Sequence, residues 1–372
     1  MGIARRMSLS HTLRCIACAE SLQPTLTTLE CPVCGFPLEV EYPDAPDGLS
    51  PRLPLSRPEE IISLGEGNTP LIRLQRIAAE LGLNQLWAKL EFEAPTGSFK
   101  DRGSAVLISV AREAGLTEFV EDSSGNAGAS LSAYAAAAGM LCHVFAPSSA
   151  GIGKKNQIRV FGALLHEVDG PRQASTDAAR EFVSERGIPW LSHAMSPYFM
   201  EGMKAFAYEL SDTPAAPVGH VIFPVGNGSL LVGALKGYRE LVQAGKLAEM
   251  PALHCVQAEA IRPIVAAINN EDWSAGAAAT SIASGISVTS PPRLSQVVDA
   301  VRETGGQGVA VDEASIIAWQ KRLAMSEGIF GEATSAVAFA GLERLIADGV
   351  IASDDRVVVP VTGSGLKEPL PQ

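Results

Sequence analysis

Glu118 to Gly139 reads "EFVEDSSGNAGASLSAYAAAAG". A short apolar run, "EFVED", gives way to the turn "SSGNAG" and then to the Ala-rich helix "ASLSAYAAAA", which Gly139 stops. The same order returns along the chain. "LCHVFAP" is a strand and "KKNQIRVF" a helix ended by Gly162. "LLHEV" is a strand, and "ASTDAAREFVSERG" a helix with its own glycine stop. "HVIFPV" has the unbroken apolar character of a buried strand, and "GNGS" and the helix "LLVGALKGYRELVQ" follow it. Near the end "IIAWQKRLAMSEG" and "SAVAFAGLERLIADG" are helical, and "RVVVPV" is a strand before "TGSG". Strands alternating with helices predict an α/β fold of open parallel sheets covered by helices on both faces. Ligands in such folds sit at the carboxyl ends of strands.

The 372 residues allow two or three domains. An apolar share of 47% and a charged share of 19% are those of a globular protein in water. A net charge of −12 argues against a nucleic-acid surface spread over the molecule. No apolar run approaches a membrane span, and the first residues lack the apolar core of a secretory signal. The expectation is a cytoplasmic protein with neither nucleic acid nor membrane as partner.

Residues 1–45 differ from the rest. Cys15-x2-Cys18, twelve residues and Cys31-x2-Cys34 form two knuckles. Four thiolates from such knuckles close a tetrahedron around zinc and leave no open position, so the zinc is expected to be structural. A module that has lost its metal is the alternative. Prolines 43, 46, 51, 54 and 58 then predict an extended linker. Cys142 and Cys255 stand alone and read as small apolar core residues.

Three Gly-rich junctions follow strands: Ser123–Gly128, Gly226–Ser229 and Thr362–Gly365. Each is placed where backbone amides at a helix start can hold an anion, and three together point to a shared ligand. None carries a phosphate-loop or dinucleotide motif. Glu93 to Gly103, "EAPTGSFKDRG", puts Lys100 at the start of a helix that Ser98 or Asp101 could cap. An ammonium there meets the positive end of the helix dipole. Lys100 is therefore either a solvated residue or an amine with a task. With several anion-binding turns and no catalytic metal, an imine-forming lysine fits, because pyridoxal phosphate brings one aldehyde and one phosphate.

"PTGSFKDRG", "SSGNAGASLSAYAAAAG", "VGNGSLLVGALKGY" and "VTGSGLKEP" resemble the pyridoxal-phosphate enzymes of the tryptophan-synthase-β fold type. Within that group the chain most resembles threonine synthases, a likeness that "LGEGNTPLIRL" and the cysteine-rich N-terminus share. It runs from about Leu13 to Pro369. The resemblance implies that Lys100 is the Schiff-base lysine, with Phe99 beside the cofactor ring. It implies that Asn126 bonds the cofactor's phenolic oxygen. Gly226, Asn227, Gly228, Ser229 and Leu230 would cradle its phosphate, and Thr362 would face the pyridine nitrogen. Ser123, Ser124 and Ala127 would take the substrate carboxylate, and Lys154 would lie near the leaving group. A threonine hydroxyl at 362 cannot hold a proton on the ring nitrogen well, which favours expelling a β or γ leaving group.

The resemblance further implies a module over 1–45, a large cofactor-binding domain over 46–100 and 200–372, and a small mobile substrate domain over 101–199. It implies a homodimer acting on a small amino acid. Two departures stand out. Many threonine synthases have Asn-Pro-His-Arg before Leu-Glu-Gly, the arginine holding the phosphate of phosphohomoserine. Here "SPYFMEG" puts Phe199 in the arginine's place. After Gly125-Asn126 the family often has Thr-Ala, and here Ala127-Gly128 follow. Lys154, Lys155 and Arg159 could restore a clamp. The readings that remain are a threonine-synthase-like lyase or synthase, a β-replacement or deaminating enzyme for a non-phosphorylated substrate, and a non-catalytic ligand-binding or regulatory protein.

Overall fold

A computed structural model describes residues 11–170, 172–276 and 279–368. The chain divides into two compact units. One comprises Met1–Ala45, Arg52–Glu66 and Lys100–Met203, and the other Pro46–Pro51, Gly67–Phe99 and Lys204–Gln372. None of the described helices is long and apolar enough to cross a membrane.

Among the described residues the first unit holds two three-stranded sheets. One is antiparallel, in the order Ser21–Leu22, Thr12–Cys15, Leu38–Glu41. Leu13 lies opposite Val40 and Cys15 opposite Leu38, and all four are buried. This period of two is what a half-buried strand requires. The other sheet is parallel, in the order Glu118–Glu121, Leu141–Pro147, Leu164–Val168. Helices Asn126–Ala138 and Ile152–Val160 make its crossovers, and helix Arg172–Arg186 follows its last strand. The glycine stops act as their composition predicts. Gly139 takes a left-handed φ of 67° and its N–H bonds the carbonyls of Ala135 and Ala136.

The second unit is built on a six-stranded sheet. Its order is Gly308–Val311, Ala252–Ala258, His220–Pro224, Arg356–Pro360, Gln85–Lys89, Leu71–Arg73. Only the Leu71–Arg73 edge strand is antiparallel. Ile222, Val256, Val357 and Val359 are buried with Phe339 and Leu342 of helix Ala333–Ala347. Unbroken apolar strands such as "RVVVP" are what a sheet covered on both faces needs.

Candidate active site

Each unit carries its own set of the expected site residues. In the second unit, strand His220–Pro224 runs into Val225–Gly228 and then helix Ser229–Gln243. Gly228 has φ +81°, and a Cβ there would lie 2.2 Å from Val297 Cγ2. A Cβ at Gly226 would lie 2.9 Å from the Ile286 Cα. Only glycines let the backbone turn this tightly, and the turn gathers the amides of Gly226, Asn227, Gly228, Ser229 and Leu230 at a helix start. The donor set suits a phosphate.

The Thr362 junction is built differently. Strand Arg356–Pro360 is followed by only a single 3-10 turn, Gly365–Lys367. Backbone pairing prevents a helix. The carbonyls of Thr362 and Gly363 accept from the N–H groups of Phe99 (3.1 Å) and Glu332 (2.9 Å), and Ser364 N–H donates to Gly97 (3.0 Å). Thr362 Oγ1 lies 3.1 Å from Ser335 Oγ, and both are buried. Gly363 leaves room for the buried carboxyl of Glu332, whose Cδ would be 2.4 Å from a Cβ there. Ser98 is not the expected cap. Its Oγ is buried and has no hydrogen-bond partner among the described residues. An orphaned hydroxyl two positions before Lys100, together with the glycine cradle, fits a polar group bound beside it.

In the first unit, Lys100 begins helix Lys100–Glu113, which is buried from Asp101 to Ala111. Ser130 Oγ donates to Asp101 Oδ1 at 2.6 Å and lies 2.7 Å from Ser104 Oγ. These bonds tie the start of the Lys100 helix to helix Asn126–Ala138. Tyr134, a turn further on, donates to Glu66 Oε2 (2.6 Å), and burial with Asp101 and Glu66 nearby raises its phenol.

Asn126 and Ala127 are buried at the helix start, with Ser123 buried and Ser124 half-buried in the preceding turn. Gly128 now has a reason. A Cβ there would come within 1.9 Å of the Ser123 carbonyl oxygen and 3.4 Å of Ile158 Cδ1. The departure from Thr-Ala therefore lets the Ser123 loop fold down onto the helix, against helix Ile152–Val160.

Lys154 is buried on that helix. Its neighbours are engaged elsewhere. Lys155 Nζ bonds Glu167 Oε2 (2.8 Å) and the Ser148 carbonyl (2.8 Å), and Arg159 pairs with the other oxygen of Glu167. Lys155, with Arg159 adding to it, holds the Glu167 carboxyl below its usual range.

Phe199 lies on helix Pro197–Met203 and is 0% exposed. Its ring would be 2.7 Å from a Cβ at Gly103, and Lys100 Nζ stands 5.9 Å from the ring centroid. Edge-on to it is His193, whose Nδ1 lies 2.6 Å from Oε1 of the fully buried Glu121. Neither Glu121 nor His193 stands in a recognisable motif. Glu121 was legible only as the last residue of a strand that feeds the Ser123 turn.

The four cysteines come together, with every sulfur within 4.8 Å of the others. Cys15–Cys34 is 3.4 Å, Cys18–Cys31 3.6 Å and Cys18–Cys34 3.4 Å, and all four are free thiols. A tetrahedron of zinc–sulfur bonds of about 2.3 Å has edges of about 3.8 Å, close to these spacings. Burial pushes the Cys15 thiol up, but the N–H groups of Cys18 and Ala17 and the neighbouring sulfurs bring it down to about 6. The Glu20 amide pulls Cys18 down, yet the sulfurs around it push it up to about 12. Proton sharing of this kind marks a set that a cation would order. Cys142 and Cys255 are buried, and burial holds both thiols up, as inert core residues require.

A family profile described as pyridoxal-phosphate dependent enzyme matches residues 62–363. A threonine synthase of Methanocaldococcus jannaschii is 34% identical over 377 residues, covering 96% of this chain and 93% of that protein. A threonine synthase of Halalkalibacterium halodurans is 34% identical over 318 residues, covering 85% of this chain and 87% of that one. Among solved structures, a fungal L-serine ammonia-lyase from Rhizomucor miehei superposes with a TM-score of 0.69 at 24% identity, over 80% of this chain and 93% of that one. This last likeness concerns the fold.

Proposed function

The chain belongs to the pyridoxal-phosphate-dependent enzymes and, within them, to the threonine synthase family, and from this we propose that it catalyses elimination or replacement at the β or γ carbon of a small amino acid that lacks the phosphate of phosphohomoserine. Bound pyridoxal phosphate supplies an electron sink for the carbanion at the substrate α-carbon. Lys100 carries the cofactor and moves the proton at that carbon through Nζ. The amides of Gly226–Leu230 hold the phosphate, Phe99 lies beside the ring, and Asn126 donates to the phenolic oxygen. Thr362 presents a hydroxyl to the pyridine nitrogen. Its own bond to Ser335 Oγ makes a neutral pair that does not keep a proton there as a carboxylate would. Ser123, Ser124 and Ala127 receive the substrate carboxylate.

One observation carries the choice of substrate. Phe199 is buried against Gly103 where the family's clamp arginine would stand, and two of the cations that could replace it, Lys155 and Arg159, are paired with Glu167. Lys154, buried on the same helix, is the residue assigned to the leaving group. The four cysteines hold one structural zinc. The division into 1–45, 46–100 with 200–372, and 101–199, a homodimeric assembly and a cytoplasmic location belong to the same proposal.

The experiment is a spectral screen. The purified protein is expected to be yellow, and borohydride followed by peptide mass spectrometry should place the cofactor on Lys100. Serine, threonine, homoserine, their O-acetyl forms, phosphoserine and phosphohomoserine are then added in turn. Unphosphorylated amino acids should change the visible band at lower concentration than phosphohomoserine. A colourless protein, or a cofactor found on another lysine, would overturn the reading.

A further inference from the structure

Helix Pro197–Met203 is held from two sides inside one compact unit. Towards the Lys100 helix it makes a contact that only glycine permits. A Cβ at Gly202 would come within 1.9 Å of the Arg102 carbonyl oxygen and 2.9 Å of the Gly103 Cα. One turn earlier the Phe199 ring fills the space over Gly103. Any displacement of this helix is therefore felt at the first turn of the helix that Lys100 begins.

The other side belongs to the four-cysteine module. Tyr42 follows strand Leu38–Glu41, whose Leu38 lies opposite Cys15. Its hydroxyl donates to Glu201 Oε2 at 2.6 Å. Glu201 is 0% exposed, and a buried carboxylate is tolerated only where such bonds satisfy it. Arg52 sits over the Tyr42 ring, 5.1 Å from its centroid. His11, also of the module, meets the Tyr198 ring edge-on, with centroids 5.7 Å apart and its Nε2 3.5 Å from the Tyr198 hydroxyl.

We propose that Tyr42 and Glu201 are positioning residues for Lys100: they fasten the cysteine module to helix Pro197–Met203, which in turn sets the first turn of the Lys100 helix, so that zinc in the module is felt at the reacting amine. This rests on the reading of Lys100 and of the cysteines given above. Zinc aligns the two knuckles, the knuckles hold strand Leu38–Glu41 on strand Thr12–Cys15, and that pairing places Tyr42.

The test uses the full-length protein with its cofactor bound. Tyr42→Phe should keep its zinc and its circular dichroism. Amide hydrogen exchange in Pro197–Met203 and in Lys100–Gly103 should nevertheless quicken about tenfold or more, as loss of a charge-assisted bond implies. The visible band of the cofactor should shift, and kcat should fall with KM little changed. Glu201→Gln, which keeps a carbonyl acceptor, should recover most of what Glu201→Ala loses. Stripping zinc from the wild-type protein with a chelator should reproduce the Tyr42→Phe pattern, and stripping it from Tyr42→Phe should add less than about threefold.

Independent, multiplying effects of the two perturbations would overturn the proposal. So would exchange that quickens only within residues 11–42. Should Tyr42→Phe fail to fold, the Glu201 pair and the chelation of wild type decide the matter. If borohydride places the cofactor elsewhere while the exchange pattern holds, the role given to Lys100 fails and the mechanical link stands.

Discussion

Phe199→Arg puts an arginine where the resemblance to threonine synthases places a phosphate clamp, and the structure sets what it should cost and gain. The ring is fully buried, and Lys100 Nζ lies 5.9 Å from its centroid. In the cofactor-free protein a guanidinium in the same place would face the Lys100 ammonium at that distance. With an effective dielectric of about 20 the repulsion is roughly 3 kcal/mol. The resting variant should melt below wild type, because an unpaired buried charge and the lost ring contact over Gly103 both count against it. A phosphate changes the sign. It would accept two charge-assisted bonds from the guanidinium, each worth roughly 1.5–3 kcal/mol, and would relieve the repulsion as well. Phosphohomoserine should therefore gain at least about tenfold in kcat/KM over wild type, while unphosphorylated homoserine loses. The assay follows threonine and inorganic phosphate with both substrates, and the melting temperature with and without phosphohomoserine. Phe199→Leu separates lost ring contact from added charge, and should help neither substrate. The reasoning is refuted if wild type already converts phosphohomoserine to threonine and phosphate as efficiently as Phe199→Arg does.

Three further outcomes are expected. Lys100→Ala should lose the borohydride-trapped cofactor while retaining wild-type circular dichroism; trapping at an undiminished level would move the cofactor to another amine. Cys31→Ser should leave the purified protein with well under the roughly one zinc per chain expected of wild type, since a closed set of four thiolates loses a ligand; equal metal content, read by mass spectrometry, would remove the cysteines from the site. His254 gives a pH signature. Burial, with His220 beside it, lowers its pKa from 6.5 to about 3. Its Nδ1 accepts from Gln307 N–H (3.1 Å) and its Nε2 lies 3.0 Å from His220 Nδ1, which leaves His220 Nε2 towards Asp355. The unfolded chain binds a proton below about 6.5 and the native one does not. Stability is thus intact above 6.5 and falls as the pH drops towards 3, by about 1.4 kcal/mol per unit from this residue. His254→Gln should flatten that slope in urea unfolding at pH 7 and pH 5, and an unchanged slope would show that other groups carry it.

Much of this protein is written in short stretches. The period of two in Leu13, Cys15, Leu38 and Val40, glycine stops such as Gly139 and Gly328, the paired cysteines and the turn–helix starts at Asn126 and Ser229 all depend on residues within a few positions of one another. Steric limits on the backbone act at that range, and so the sequence alone determined them. The strand Ala252–Ala258 was harder to read, because His254 and Gln257 interrupt it. Both are buried, and both are satisfied by partners outside their own strand. Gln257 receives the amides of Ile264 and Val265 and donates to the Val225 carbonyl (3.0 Å), beside the Gly226–Gly228 turn. The Thr362 junction looked like a helix start, and pairing with Phe99, Gly97 and Glu332 made it a tie.

What only the tertiary structure decided is which groups remain for chemistry. Lys155 and Arg159 looked like replacements for a missing arginine until Glu167 was found between them. Gly128, where the family often has alanine, had no evident reason until the Ser123 carbonyl was found where a Cβ would be. Tyr42 and Glu201, separated by 159 positions, meet at 2.6 Å in a bond that neither residue's neighbours foretell. Charge pairing and close backbone approach depend on distance in space, and residues far apart in the chain come within a few ångströms only after the sheets and helices have packed.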